Sequence, residues 1–207
     1  MLQFERIALI TVWTIDPDLF YLINKLNEKG FIVARIKPSH EAYNIEFLER
    51  SGTIAIKESS RVYYQLERKT LGVEGIEIDK IVQCFKEVEA IFEEIGINVG
   101  KTALICEAQV KARLTDLKFP LKKLNTEKIV GFNINYFPSL FVMENMDPNT
   151  SRWFNFSVDP IWPTWYDEKR RSYNLKIVYR DEKEKIVEFI KNLYEIINQI
   201  IEKIVCL

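Results

Sequence analysis

The sequence predicts an α+β fold in which one unit is used twice: strand, short helix, several antiparallel strands, long helix. Joined, the two units would form one curved antiparallel sheet with two long helices on one face. Three observations carry this. Ala8-Leu9-Ile10 returns as Ala103-Leu104-Ile105, and Asp18-Leu19, Tyr21, Ile23 and Lys25-Leu26-Asn27 return at the same spacing as Asp116-Leu117, Phe119, Leu121 and Lys123-Leu124-Asn125. An apolar strand-like run follows each time, Phe31–Ile36 and Ile129–Ile134. Each half then closes on a long helical pattern too apolar to stand free in water, so each helix must lie on a sheet or on another chain.

The elements follow in order. Glu5–Ile15 is β-branched and aromatic and reads as a strand. Asp16-Pro17 starts a helix, with the aspartate as cap and the proline at the first helical position. Leu19, Leu22, Ile23 and Leu26 give it an apolar face, and Gly30 ends it. Phe31–Ile36 is the second strand. From Pro38 to Thr70 the pattern is an antiparallel meander: Tyr43–Glu49 and Thr53–Lys57 about a Ser51-Gly52 turn, then Arg61–Leu66. Leu71–Gly75, with two glycines, reads as a loop. A helix follows from Ile78 to about Ile95, stopped at Gly96.

The second half repeats the order. Thr102–Val110 is a strand and Asp116–Asn125 a short helix with Pro120 in its first turn. Ile129–Tyr136 and Ser139–Glu144 are strands bent apart at Phe137-Pro138. Met146–Ser151 is a turn, Arg152–Val158 a strand, Asp159–Arg171 a Pro/Trp loop and Ser172–Tyr179 the last strand. Asp181 then caps a long helix to about Val205, with a seam of Ile186, Ile190, Leu193, Ile197, Ile200 and Ile204. The halves divide as residues 1–98 and 99–207. Between them only Gly96 and Gly100 are linker-type residues, so the halves read as one fused unit.

Composition narrows the function. Across 207 residues, 47% are hydrophobic and 29% charged, ordinary for a chain that buries a core. No run of apolar residues is long enough to span a membrane, and Glu5 and Arg6 interrupt the first apolar run, unlike a signal peptide. The three cysteines are scattered and odd in number, which fits a reducing cytoplasm. The formal net charge of −1 gives no global pull toward nucleic acid. Abundant Ile, Lys and Glu with only 7 Gly is a bias seen in hyperthermophile proteins.

The doubled order of elements resembles the saddle of the TATA-box-binding protein family. Asp116-Leu117-Lys118-Phe119-Pro120-Leu121 is similar to the start of that family's short helix. Phe137-Pro138-Ser139-Leu140-Phe141 resembles its F-P-G-L-I strand, and Glu41-Ala42-Tyr43-Asn44 its A-E-Y-N. The family's S-G-K turn and V-x-T-G-A strand are missing from both halves; Ser51-Gly52-Thr53 is the nearest echo. The resemblance implies a concave sheet face for binding, with phenylalanine wedges that pry base steps apart. Phe137 would hold one wedge position, and Phe154 or Phe156 the other. The competing reading is that all three are core or edge aromatics.

Catalytic patterns are absent from the sequence. His40 is the only histidine, in a loop; no Cys/His spacing suits zinc, and no glycine-rich phosphate loop or nucleophile turn occurs. No cofactor or metal is implied. Glu107 interrupts an apolar strand and is expected to point to solvent from the open sheet face. The distinctive stretch is 159–171, where Trp162, Trp165 and Tyr166 run into Lys169, Arg170 and Arg171. Aromatics beside a basic triplet could stack bases and hold phosphates, or form a protein-binding hot spot, or simply cap the open end of the sheet.

The sequence therefore points to a non-catalytic binding protein. It would use the concave face and the 159–171 loop to bind a macromolecule, protein or nucleic acid. Two alternatives stay open: a small-ligand binder with a helix-grip-like cavity, and an assembly subunit that dimerises through its Ile-rich C-terminal helix. No membrane partner is expected.

Overall fold

Alternation along the first apolar run gives it two unlike faces. In the computed structural model this run is β1, Leu2–Trp13, with Phe4, Ile7 and Leu9 in the main core and Ala8 and Ile10 in a separate small cluster. The structure describes residues 1–13, 17–40, 43–49, 52–97, 103–115, 123–129, 132–135, 139–143, 152–161 and 172–205.

The remaining elements of the first half are α1 (Leu19–Glu28), β2 (Ile32–Val33), β3 (Arg35–Pro38), β4 (Tyr43–Glu46), β5 (Thr53–Lys57), β6 (Ser60–Gln65), β7 (Thr70–Gly75) and α2 (Ile78–Glu94). Then come β8 (Ala103–Thr115), β9 (Lys123–Ile129), β10 (Phe132–Asn135), β11 (Ser139–Met143), β12 (Trp153–Pro160), β13 (Ser172–Asp181), α3 (Lys183–Lys191) and α4 (Leu193–Val205).

A nine-stranded sheet runs in the order β11-β12-β13-β8-β1-β7-β6-β5-β2, with β1 and β8 antiparallel at its middle. Outward from β1 the neighbours are β7, β6, β5 and β2; outward from β8 they are β13, β12 and β11. The four helices cover one face. Leu22 and Leu26 of α1, Ile81, Val88 and Phe92 of α2, Ile186 and Ile190 of α3, and Leu193 and Ile197 of α4 share one core with Ile7, Leu9, Ala108, Val110, Leu175 and Ile177 of the sheet.

The sheet is not the single one expected. β3–β4 and β9–β10 form two separate two-stranded ribbons. The expected strand Phe31–Ile36 divides at Ala34, which is buried and donates its N–H to Ile54 O at 2.8 Å. Beyond it Arg35 turns away to pair with Glu46. In the expected short helix Asp116–Asn125, residues 116–122 lie outside the described residues. Lys123–Asn125 begin strand β9, which pairs with β10. Here a partner strand overrides the local helical spacing.

Other boundaries move for local reasons. Asp18, not Asp16, caps α1: its Oδ1 accepts from the N–H groups of Phe20 at 2.9 Å and Tyr21 at 3.2 Å. Asp18→Ala is expected to cost about 1 kcal/mol, the usual loss of an N-cap, read as a lower urea midpoint at constant m-value. The expected C-terminal helix is interrupted at Asn192, which caps α3 before α4 begins. Asn competes for backbone hydrogen bonds and suits such a position.

Asp181 does not cap that helix. It ends β13 and is 8% exposed, with Glu182 in the cap position. Its carboxylate accepts from the Glu182 N–H at 2.7 Å, from Arg152 Nε at 2.9 Å and from the Tyr179 hydroxyl. Burial opposes its charge, but the Tyr179, Glu182 and Arg152 hydrogen bonds outweigh burial and hold the carboxyl below its usual range.

Leu71–Gly75 is a strand, not a loop. Leu71 and Val73 enter the core, and Gly72 between them and Gly75 after them disguise the alternation. Gly72 faces away from the helices, and a Cβ there would run into the Tyr63 ring, which lies directly over it. Gly72→Ala is therefore expected to destabilise by about 1–3 kcal/mol through overpacking, measured by denaturant titration.

Candidate binding face

Opposite the helices, the sheet presents side chains from alternate positions of its central strands. One row crosses six strands in register: Tyr63 of β6, Gly72 of β7, Ile10 of β1, Glu107 of β8, Arg180 of β13 and Trp153 of β12. A neighbouring row holds Arg61, Glu74, Ala8, Gln109, Val178 and Asn155. A third aligns Arg6, Lys111, Lys176 and Ser157.

Hydrogen bonds tie these rows together. Arg6 Nε donates to Glu74 at 2.6 Å, and its Nη1 donates to Gln109 Oε1 at 3.1 Å. Gln109 Nε2 donates to Glu107 at 2.7 Å. The other Glu107 oxygen takes Arg180 Nη2 at 2.8 Å and Nε at 3.2 Å, a forked contact that fixes the guanidinium plane. Arg180 also lies over the Trp153 ring, 4.8 Å from its centroid.

Glu107 is thus on the open face as expected, but it does not point to solvent. Only 9% of it is exposed, although among the described residues no helix packs on this side of the sheet. Gln109 and Arg180 hold its two oxygens. Tyr63 and Ile10 are also buried, 5% and 8% exposed. Burial pushes the Tyr63 hydroxyl up to about 12, with Arg6 opposing the shift and Glu74 adding to it.

Five cations of this face are matched by acids. Arg6 meets Glu74, Arg180 meets Glu107, Arg113 meets Glu5 at 2.9 Å, Lys176 meets Asp159 at 3.4 Å, and Arg61 meets Glu49 at 3.0 Å. Lys111 is exposed at the centre of the third row.

The residues singled out from the sequence fare differently. Phe154 and Phe156 are not on the binding face. Phe156 is 6% exposed in the main core, and Phe154 packs against it, with ring centroids 6.2 Å from Phe156 and 6.2 Å from Phe189 of α3. Register explains this: Phe154 and Phe156 pair with Tyr179 and Ile177, which face the helices. Phe137, Trp162, Trp165, Tyr166, Lys169, Arg170 and Arg171 lie outside the described residues. His40 is exposed after β3. Among the described residues no group of His, Cys, Asp and Glu could hold a metal ion, and no helix is long and apolar enough to cross a membrane.

Sequence reasoning missed Arg6, Tyr63, Glu74, Gln109, Trp153 and Arg180 as a group. The signal was available only in part: each occupies an alternate position of a strand, but the register that aligns them is a tertiary fact. Comparison with protein-family models and with curated proteins finds no match to this chain.

Proposed function

We propose that this chain is a non-catalytic binding protein of two fused repeats, 1–98 and 99–207, and that the sheet face opposite its described helices receives a protein partner. The repeat reading is supported by the strand order, which reads alike for the first three strands outward from the antiparallel β1–β8 pair on each side, β2 being an additional strand at one edge. That order resembles the saddle of the TATA-box-binding protein family. Two features depart from it: the lysine-to-asparagine stretch 123–125 is strand, and of the described wedge candidates Phe156 belongs to the core and Phe154 packs against it.

The observation that carries the partner class is the pairing of charge on the open face. A phosphate backbone is held by cations free to replace its counterions. Here Arg6, Arg61, Arg113, Lys176 and Arg180 each have an acidic partner. Among the described residues this leaves little free positive charge on the face, Lys111 aside. It offers groups that anchor protein interfaces: Trp153 and Arg180, both half-buried and pre-ordered by their contact with one another.

The test places a photo-crosslinking residue at exposed Lys111 on the face and, as control, at exposed Lys191 on α3. The expected result is a discrete protein adduct from position 111 in cell extract and none from 191. Retention on DNA or RNA columns at low salt should be absent. Salt-dependent retention, or equal crosslinking from both positions, would overturn the reading.

The C-terminal helix offers less support for dimerisation than its sequence suggested. Ile186, Ile190, Leu193 and Ile197 are all buried within one chain. Tyr194, though 55% exposed, meets the Phe4 ring edge-on at 4.8 Å.

A further inference from the structure

Away from the open face, α1 and the β2–β4 region bound a cleft of about 410 Å3. The α1 residues lining it are Phe20, Ile23, Asn24 and Asn27, a stripe at the spacing that one helix face presents. Such a stripe is ordinarily apolar where it faces other elements. Here half of it is carboxamide. Ile23 is buried at the floor, while Asn24 and Asn27 are exposed. Among the described residues neither asparagine side chain has a hydrogen-bond partner. Opposite stand Ile36 and Tyr43. Tyr43 stacks on Phe20 at 4.9 Å with the rings 27° apart, and both rings stay open to solvent, 41% exposed for Phe20 and 61% for Tyr43. No charged side chain is among the described lining residues.

We infer that this cleft binds a small, flat, uncharged heteroaromatic molecule of the nucleobase or nucleoside kind. Its volume falls in the range of small-molecule sites, about 300–1,000 Å3. The aromatic pair supplies a π-face on which a flat ring stacks. Each carboxamide offers a donor and an acceptor side by side, complementary to the amide-like or amidine-like edge of a base. A phosphate or carboxylate would meet no counter-ion on these walls. The site is separate from the open sheet face, so either can fail without the other.

The test titrates the whole chain with adenosine, cytidine and uridine while following amide and asparagine side-chain NMR signals. At least one nucleoside is expected to give saturable shifts, at about millimolar concentration or below, confined to α1 and β3–β4. The substitutions Asn24→Ala and Asn27→Ala fall at exposed positions and should leave the fold intact. Together they should weaken binding about tenfold or more. Tyr43→Ala should weaken it as well. The nucleoside monophosphate should bind no more tightly than the nucleoside. The inference is overturned by no saturable response, by binding indifferent to the asparagine substitutions, by tighter binding of the monophosphate, or by equal binding of indole, which lacks the paired edge.

Discussion

Between about pH 9 and pH 12 the protein is expected to lose several kcal/mol of stability. Three buried acids drive this. Burial, reinforced by Glu87 against Lys57, pushes the Cys84 thiol up from 9.0 to about 12. Burial pushes Cys106 up to about 11, with Lys183 opposing, and Tyr63 up to about 12. All three pKa values are higher in the folded state than in the unfolded chain. The unfolded chain therefore releases protons first as pH rises, and stability falls. The contribution is fully present below the unfolded values and is gone once pH passes the folded ones. At about 1.4 kcal/mol per unit, Cys84 alone accounts for about 4 kcal/mol, against a typical total of about 5–15. Urea titrations at stepped pH should show the midpoint falling steeply over this window. Cys84→Ala should flatten that slope, whatever it does to the stability at neutral pH. A midpoint constant through pH 11 would contradict the account.

The fold was legible where one signal dominates. The α2 stripe from Ile81 to Phe92 is long and regular, and both glycine stops, Gly30 and Gly96, take the left-handed φ that ends a helix (+80° and +81°). Legibility failed where tertiary contacts decide. Leu71–Gly75 lacks strand composition, yet β1 and β6 bracket it and the Tyr63 ring fills the space a side chain would take at Gly72. Lys123–Asn125 carries helical spacing but pairs as strand. The candidate site was less legible still. The family resemblance put Phe154 and Phe156 forward as wedges. Alternation puts those two rings under α3 and leaves Trp153 on the opposite face. Arg6 and Arg180 are far apart in sequence, and only the antiparallel β1–β8–β13 register brings them to opposite ends of one hydrogen-bonded chain.

Glu107→Ala is expected to cost about 2–4 kcal/mol, because it strands Arg180 in a site where that side chain is 22% exposed. Arg180→Ala should cost a similar amount, with the loss of its stacking on Trp153 adding about 0.5–1 kcal/mol. The informative variant is Glu107→Met with Arg180→Met. Replacing a buried ion pair by apolar groups of similar size is often neutral or stabilising, so the double variant should recover most of what each single change loses. A double-mutant cycle in urea measures this, with tryptophan emission reporting on Trp153. If the double variant is as stable as the parent, folding does not require the pair. A charged, forked contact on the sheet face opposite the described helices then needs another reason to persist, and recognition supplies one. The double variant should keep the fold yet lose the crosslink from position 111. If instead it loses several kcal/mol and keeps the crosslink, the pair serves the sheet alone and the partner docks elsewhere.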